Sequence, residues 1–125
     1  MEIITAPDVP SPKGHYSHAV AANGLIFVSG ILPEPTPAGE PDSFERQVRA
    51  VFARCQQILA AGQSSLDDVV QCTAYISDVA LWPEFNDLYG SIFGAHKPAR
   101  AVVPVPALHH GFQVEIQIVA QRSTP

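Results

Sequence analysis

The chain has 125 residues, of which 46% are apolar and 15% are charged. This balance is typical of one globular domain and excludes a disordered tail. Seven basic residues against twelve acidic ones give a formal net charge of −5, and the basic residues are scattered, so nucleic acid is not expected as a partner. No apolar run approaches the ~20 residues of a bilayer span, and the N-terminus lacks a signal-peptide pattern, so we expect a cytoplasmic protein without membrane contact.

The first regular structure in the chain is a predicted β-hairpin. Residues 18–22 and 25–29 are typical of two strands, and the Asn23-Gly24 dipeptide between them supplies the positive φ angles of a tight two-residue turn. Residues 2–5 fit a further short strand. Prolines then remove four hydrogen-bond donors between residues 31 and 41, which predicts a surface loop.

Two amphipathic helices are predicted. After a start at Asp42 or Ser43, apolar residues recur at steps of three and four until Gly62, a pattern that indicates a helix with one buried stripe. Pro83 suits the first turn of a second helix, which we expect to end at Gly94.

The remaining segments predict three strands. Residues 69–76 are rich in β-branched and aromatic side chains, and residues 113–121 alternate between apolar and polar, as a half-buried strand does. Residues 100–108 are apolar and extended. Pro104 and Pro106 lie two residues apart in this segment, so their missing N–H groups face the same side, as at a sheet edge or a subunit boundary.

This order of elements indicates an α+β fold in a single domain over residues 1–125. Two helices, each with one apolar stripe, cover one face of a sheet of five or six strands. The other face still carries Val, Ile and Phe side chains that water disfavours. We therefore expect an oligomer in which this face is buried.

Arg100 and Glu115 are unusual because each interrupts an apolar strand. An ionised group in such surroundings is costly unless it is paired or hydrogen-bonded. Besides a functional role, two structural explanations account for these charged residues. Each residue could be exposed at a strand end or on a solvent face, or the two could form a structural ion pair.

The spacing of the histidines does not favour a metal site. His15 and His18 lie three residues apart in a predicted turn and strand, while His109 and His110 are adjacent residues, which in a strand face opposite sides. Neither pair converges as the ligands of a tetrahedral site do. We therefore expect no metal site.

The two cysteines and Ser29 do not indicate nucleophilic chemistry. Cys55 lies in the helical pattern and Cys72 in a strand pattern, so each is interpreted as a small buried apolar residue rather than half of a disulfide or a metal site. Ser29 ends a strand with no acid-histidine partner nearby in the sequence, which makes a nucleophilic serine a weak hypothesis.

Seven short segments, in this order, carry a resemblance that covers about residues 11 to 121. They are Gly14-His15-Tyr16-Ser17-His18-Ala19, Phe27-Val28-Ser29-Gly30, Ala60-Ala61-Gly62 with Asp68-Val69-Val70, Asn86-Asp87-Leu88-Tyr89, Pro98-Ala99-Arg100 and Val114-Glu115-Ile116. None is specific alone. Together, with Arg100 and Glu115 at the family spacing, they resemble the RidA (YjgF) family of enamine/imine deaminases.

The resemblance implies a fold, an assembly and an activity. The fold is a chorismate-mutase-like mixed sheet in a homotrimer, with ligand sites in the clefts between neighbouring subunits. The activity is hydrolysis of 2-aminoacrylate-type enamines and 2-imino acids to 2-keto acids and ammonia, without metal or organic cofactor. By carry-over, Arg100 anchors the substrate carboxylate, Glu115 orients the hydrolytic water, and Tyr16, Ser29 and Asn86 line the pocket.

Five positions depart from the family pattern. Proline is usual where His15 and His109 stand, glutamine is usual where His18 and Ile31 stand, and cysteine is common where Val102 stands. Val102 would line the substrate pocket without a thiol, which speaks against a covalent thiol step. The other four are expected to line or flank the cleft and to influence which substrate side chain fits.

The expected function is therefore that of a 2-iminobutanoate/2-iminopropanoate-type deaminase. One alternative is a non-catalytic protein of the same trimeric fold that binds 2-keto acids as a sensor. Another is the chorismate-mutase reaction, but its dicarboxylate substrate needs more than one cationic anchor and only Arg100 is suitably placed. A binder would leave the decay of imines unaccelerated, which separates it from the enzyme.

Overall fold

The structure is a computed structural model that describes residues 1–123. Six strands form one sheet, and two helices accompany it. The strands are β1 (Glu2–Ile4), β2 (Ala19–Ala22), β3 (Leu25–Val28), β4 (Val69–Ile76), β5 (Ala99–Pro104) and β6 (Val114–Gln121), and the helices are α1 (Phe44–Ala61) and α2 (Trp82–Phe93). The spatial order of the strands is β1-β2-β3-β6-β4-β5.

The sheet is mixed, because β4 and β5 run parallel while every other neighbouring pair is antiparallel. Parallel neighbours need a crossover connection, and α2 supplies it. The prediction of an α+β fold with a mixed sheet and two helices is confirmed.

The predicted hairpin is present and short. Asn23 and Gly24 have φ angles of 52° and 77°, and Ala22 pairs with Leu25 across the turn. Each strand is one residue shorter than predicted. The predicted N-terminal strand is also confirmed, since Glu2–Ile4 pairs with β2.

Both helices begin and end at the residues that the sequence indicates. The Ser43 hydroxyl accepts a hydrogen bond from the Arg46 N–H at 3.1 Å and caps α1, and Gly62 follows its last residue. Pro83 lies in the first turn of α2. Gly94 ends this helix with a φ of 63°, which glycine adopts without strain.

Two predictions near the end of the chain were wrong. β5 ends at Pro104, and Pro106 lies in a bend rather than in the strand, because prolines cannot donate the hydrogen bonds that would extend the ladder. His109 and His110 were expected as strand residues on opposite faces. Instead they lie in a 3-10 turn in which His110 and Gly111 have φ angles of 60° and 74°, and their ring centroids are 3.8 Å apart.

The core lies between the helices and one face of the sheet. Among its fully buried side chains are Ile26, Val28, Val51, Ile58, Phe85, Ile116 and Ile118. Within residues 1–123, no helix is long and apolar enough to cross a membrane.

No described helix covers the opposite face of the sheet, which we call the open face. A row of apolar residues crosses four strands of this face in register: Ile3, Val20, Phe27 and Val119. Ile3 is 62% exposed and Phe27 is 42% exposed. This row is the uncovered apolar surface that the sequence predicts.

Candidate functional site

Arg100 lies on the helix-covered side of the sheet, at its edge. It pairs with the buried Cys72 of β4, and residues paired in this way project from the same face. Its Nη1 donates a hydrogen bond to Asn86 Oδ1 at 2.9 Å. The guanidinium carbon lies 4.9 Å from the ring centre of Tyr89 and 5.3 Å from that of Trp82. Two aromatic rings and one amide therefore hold the guanidinium.

The contacts of Arg100 leave hydrogen-bonding capacity unused. Asn86 is its one hydrogen-bond acceptor within the described residues, and a guanidinium carries five N–H donors. Beside it lies a cavity of about 460 Å³ that Asn86, Lys97 and Pro98 also line. Val102 follows two residues later on the same face and is half-buried. The helix-covered side thus brings Arg100 and Asn86 together, while Val102 lies on the same side but does not line this cavity.

Glu115 projects from the open face. It pairs with Tyr75 of β4, while its neighbours Val114 and Ile116 point into the core. Its carboxylate lies against Gly30, so closely that a Cβ at that position would overlap Oε2. Among the hydrogen bonds and ion pairs of residues 1–123, none involves the Glu115 side chain, and its oxygens remain available.

Ser29 directly precedes Gly30, against which the Glu115 carboxylate lies, and Tyr16 lines the same groove as Gly30. The Ser29 hydroxyl donates to the carbonyl of Ser17 at 2.6 Å, and the Ser29 N–H donates to the carbonyl of His18 at 3.0 Å. These bonds join the end of β3 to the segment before β2. Tyr16 is exposed and, with Gly30, lines a groove of about 940 Å³.

One chain does not bring Arg100 and Glu115 together. Arg100 pairs with Cys72 and Glu115 pairs with Tyr75, and two strand residues three positions apart face opposite sides of a sheet. The structural ion pair considered from the sequence does not form within the described residues. The candidate site is therefore split into two parts, one on each face.

The four remaining departures from the family pattern take different places. Ile31 and His109 line the groove, and His15 is exposed outside it. His18 also borders the groove, but the residue is only 4% exposed and both ring nitrogens are hydrogen-bonded. Nδ1 accepts from the Ala6 N–H at 3.0 Å, and Nε2 bonds the Pro10 carbonyl at 2.9 Å. His18 therefore fastens the N-terminal segment to the sheet.

Sequence reasoning missed three residues of the site, which are Trp82, Tyr89 and Gly30. Trp82, Asn86 and Tyr89 follow the spacing i, i+4, i+7, which places them on one face of a helix, so the position of Trp82 and Tyr89 beside Asn86 was detectable. Gly30 was not, because its contact with Glu115 depends on how the segment after β3 aligns with β6.

The thiols remain inert. Cys55 and Cys72 are free and buried, which confirms their interpretation as core residues. Burial raises the pKa of Cys72 to about 12 and that of Cys55 further, so both stay protonated at neutral pH. Across residues 1–123, no three His, Cys, Asp or Glu side chains come together as metal ligands do.

Comparison with known proteins places the chain in a family. The model of the endoribonuclease L-PSP family matches residues 6–122. A RutC family protein of Pyrococcus horikoshii is 33% identical over 97% of this chain and 98% of its own length. Reactive Intermediate Deaminase A, chloroplastic, of Arabidopsis thaliana is 32% identical over 95% of this chain and 65% of its own length.

A solved structure has the same fold over nearly the whole chain. Escherichia coli TdcF with bound serine superposes with a TM-score of 0.88 at 28% identity and covers 98% of this chain and 100% of its own. Since the family model and these relatives span nearly the whole chain, the protein belongs to the RidA (YjgF, RutC) family, whose family model is described as endoribonuclease L-PSP.

Proposed function

We propose that this protein hydrolyses small 2-imino acids and their enamine tautomers, of the 2-aminoacrylate type, to 2-keto acids and ammonia. The reaction takes place in sites shared between neighbouring copies of the chain. The observation that carries this proposal is the placement of Arg100 and Glu115 on opposite faces of one sheet, each with unused hydrogen-bonding capacity. A second copy of the chain completes the site.

The open face supports association of this kind. Its row of Ile3, Val20, Phe27 and Val119 is continuous and partly exposed, and burying such a surface is favourable. β5, which carries Arg100, forms one edge of the sheet. The number of copies, three, follows from the resemblance to the RidA family.

Arg100 suits the carboxylate of the substrate. A guanidinium presents a planar fork of donors that matches the two oxygens of a carboxylate, which fixes orientation as well as position. Asn86 occupies one of its donors and leaves others free. Val102 offers an apolar surface on the same side of the sheet, as a short carbon chain requires.

Glu115 suits the proton transfers of hydrolysis. Water adds to the carbon of the C=N bond while the carboxylate accepts one of its protons. This proton then passes to the nitrogen, which gives a carbinolamine with a hydroxyl and an NH2 group on the same carbon. The carboxylate next accepts the hydroxyl proton and passes it to the NH2 group, the C–N bond breaks, and ammonia leaves as the C=O bond forms. One carboxylate is regenerated in each cycle, and a group in this role contributes on the order of 10²–10⁴ in rate.

The relatives support the same ligand chemistry. The Arabidopsis relative is named a reactive intermediate deaminase, and the E. coli relative TdcF was solved with bound serine, which carries a nitrogen on the carbon next to its carboxylate, as a 2-imino acid does. The protonated thiols of Cys55 and Cys72 and the apolar Val102 favour direct attack by water over a covalent intermediate.

Mixed oligomers test the shared site. Arg100→Ala and Glu115→Gln are each expected to lose deamination when prepared alone. The Glu115→Gln chain still carries Arg100, and the Arg100→Ala chain still carries Glu115. In a random 1:1 co-assembly, a shared site receives each intact residue with a probability of one half, so about one quarter of the sites are intact. The imine is generated with an amino-acid oxidase, and its decay is followed by semicarbazide trapping. The deamination rate of the mixture is therefore expected to reach about that fraction of the rate of the unmodified protein.

The same assay separates the alternatives. A mixture as inactive as its two components contradicts sites shared between chains, provided that the two variants, each with a different affinity tag, co-purify as one oligomer. If the unmodified protein binds pyruvate but leaves imine decay unaccelerated, the protein is a 2-keto-acid binder and the enzymatic proposal fails.

A further inference from the structure

The indole of Trp82 lies over the guanidinium of Arg100 without belonging to the core. Trp82 is the first residue of α2 and is 38% exposed. Its ring centre lies 5.3 Å from the guanidinium carbon. Within residues 1–123, Trp82 is not one of the side chains that form the core or pack against it. Core packing therefore does not explain a large aromatic residue at this position.

One face of α2 supplies all the described contacts that hold the Arg100 guanidinium. Trp82 and Tyr89 place their rings against the cation, and Asn86 accepts a hydrogen bond from Nη1. The electron-rich face of an aromatic ring attracts a cation, while the amide fixes one edge of the guanidinium plane. The helix thereby sets both the position and the orientation of this side chain before any ligand arrives.

We propose that Trp82 is a positioning residue for Arg100. Its indole, with the ring of Tyr89, holds the guanidinium so that the free N–H donors present a fork to the carboxylate of the substrate. An arginine side chain loses rotamer freedom when it binds, and a contact made beforehand reduces that loss. This inference rests on the proposed role of Arg100 as the carboxylate anchor.

A positioning role predicts a specific kinetic pattern. Since Trp82 acts through Arg100 and takes no part in the proton transfers at Glu115, its loss weakens binding and leaves the chemical step unchanged. Trp82→Leu is expected to raise the Kd for pyruvate and the KM for the imino acid about two- to fivefold, the range of an exposed cation–π contact, with kcat unaltered.

Two variants control this experiment. Trp82→Phe keeps an aromatic ring over Arg100 and is expected to restore most of the affinity, which a merely structural role for the indole does not predict. Val79→Ala removes an exposed apolar side chain from the turn before α2 and is expected to leave Kd, KM and kcat unchanged. Melting temperatures show whether each variant is folded.

The chain has a single tryptophan, so its fluorescence reports directly on this contact. Pyruvate titration is expected to give a saturable change in Trp82 emission. Arg100→Ala is expected to shift the emission of the free protein and to abolish the response to pyruvate. An emission spectrum that Arg100→Ala leaves unaltered contradicts the contact in solution.

The outcomes distinguish this inference from the proposed function. If Trp82→Leu binds pyruvate like the unmodified protein while Arg100→Ala does not bind it, the positioning role is wrong and the anchor role of Arg100 stands. If Arg100→Ala also binds pyruvate with unchanged affinity, the anchor itself is wrong, and the inference falls with the proposed function.

Discussion

The carboxylate of Glu115 lies directly against Gly30, and this contact leaves no space for a side chain at position 30. A Cβ built there would overlap Oε2. Gly30 is not among the glycines with positive φ, which in the described part of the chain are Gly24, Gly39, Gly94 and Gly111. Space, rather than backbone conformation, therefore excludes a side chain at this position.

Gly30→Ala is expected to displace the Glu115 carboxylate and to lower the rate of imine hydrolysis on the order of 10-fold or more, because the position of a proton-transfer group controls its rate. Pyruvate binding, which depends on Arg100, is expected to persist. Semicarbazide trapping and calorimetry measure the two properties. In the Glu115→Gln background, the added Gly30→Ala change is expected to lower the rate little further. If Gly30→Ala lowers the rate as much in this background as in the unmodified protein, Gly30 acts by another route.

Arg100→Lys is expected to lower the affinity for pyruvate on the order of 10-fold, since lysine keeps the charge but loses the planar fork. Arg100→Ala is expected to lower it further, because it removes the charge as well. Calorimetry on the purified oligomer measures both. Arg49→Lys is the matched control, since Arg49 is exposed and pairs with Glu45 on α1. Equal affinities of the Lys and Arg forms would show that charge alone suffices.

His18→Leu is expected to destabilise the fold by about 1–3 kcal/mol, because it leaves the Ala6 N–H and the Pro10 carbonyl without their ring partners. Urea unfolding measures the loss. His15→Ala is the control, since His15 is exposed, and its free energy of unfolding is expected to stay within about 0.5 kcal/mol of the parent. A His18→Leu protein as stable as that control would show that the two bonds contribute nothing net.

Glu2 and Arg122 join β1 to the end of β6 through two hydrogen bonds of 2.9 Å each. The hydrogen bond from Arg122 and its charge lower the pKa of Glu2 below its ordinary 4.5. Because the folded-state pKa is depressed, the stabilisation is fully present above the unfolded value and is lost as the pH falls through the folded one.

Glu2→Gln is therefore expected to be less stable than the parent at pH 7 and equally stable in strong acid, where Glu2 is protonated in both states. Unfolding curves at the two pH values measure the difference. High salt is expected to reduce the effect at pH 7, since the pair is exposed to solvent. A difference that persists unchanged in acid contradicts an electrostatic origin.

Features encoded by neighbouring residues were predictable from the sequence. Asn23-Gly24 specifies a hairpin turn because few other dipeptides adopt two positive φ angles without strain. Ser43 and Gly62 mark the ends of α1 because free backbone groups there need a cap. The alternation of β6 likewise placed Glu115 on the face opposite Val114 and Ile116.

Features that depend on contacts between distant segments were not predictable. The face on which Arg100 lies follows from the register of β5 against β4, and its position relative to Glu115 follows from the order β6-β4-β5. The turn at His109 and His110 was missed for a different, local reason, because His110 has left-handed backbone, which non-glycine residues rarely adopt. From the sequence alone, Arg100 and Glu115 stood out as candidate site residues. Their placement on opposite faces came from the tertiary structure, because strand register is a long-range property that local patterns do not encode.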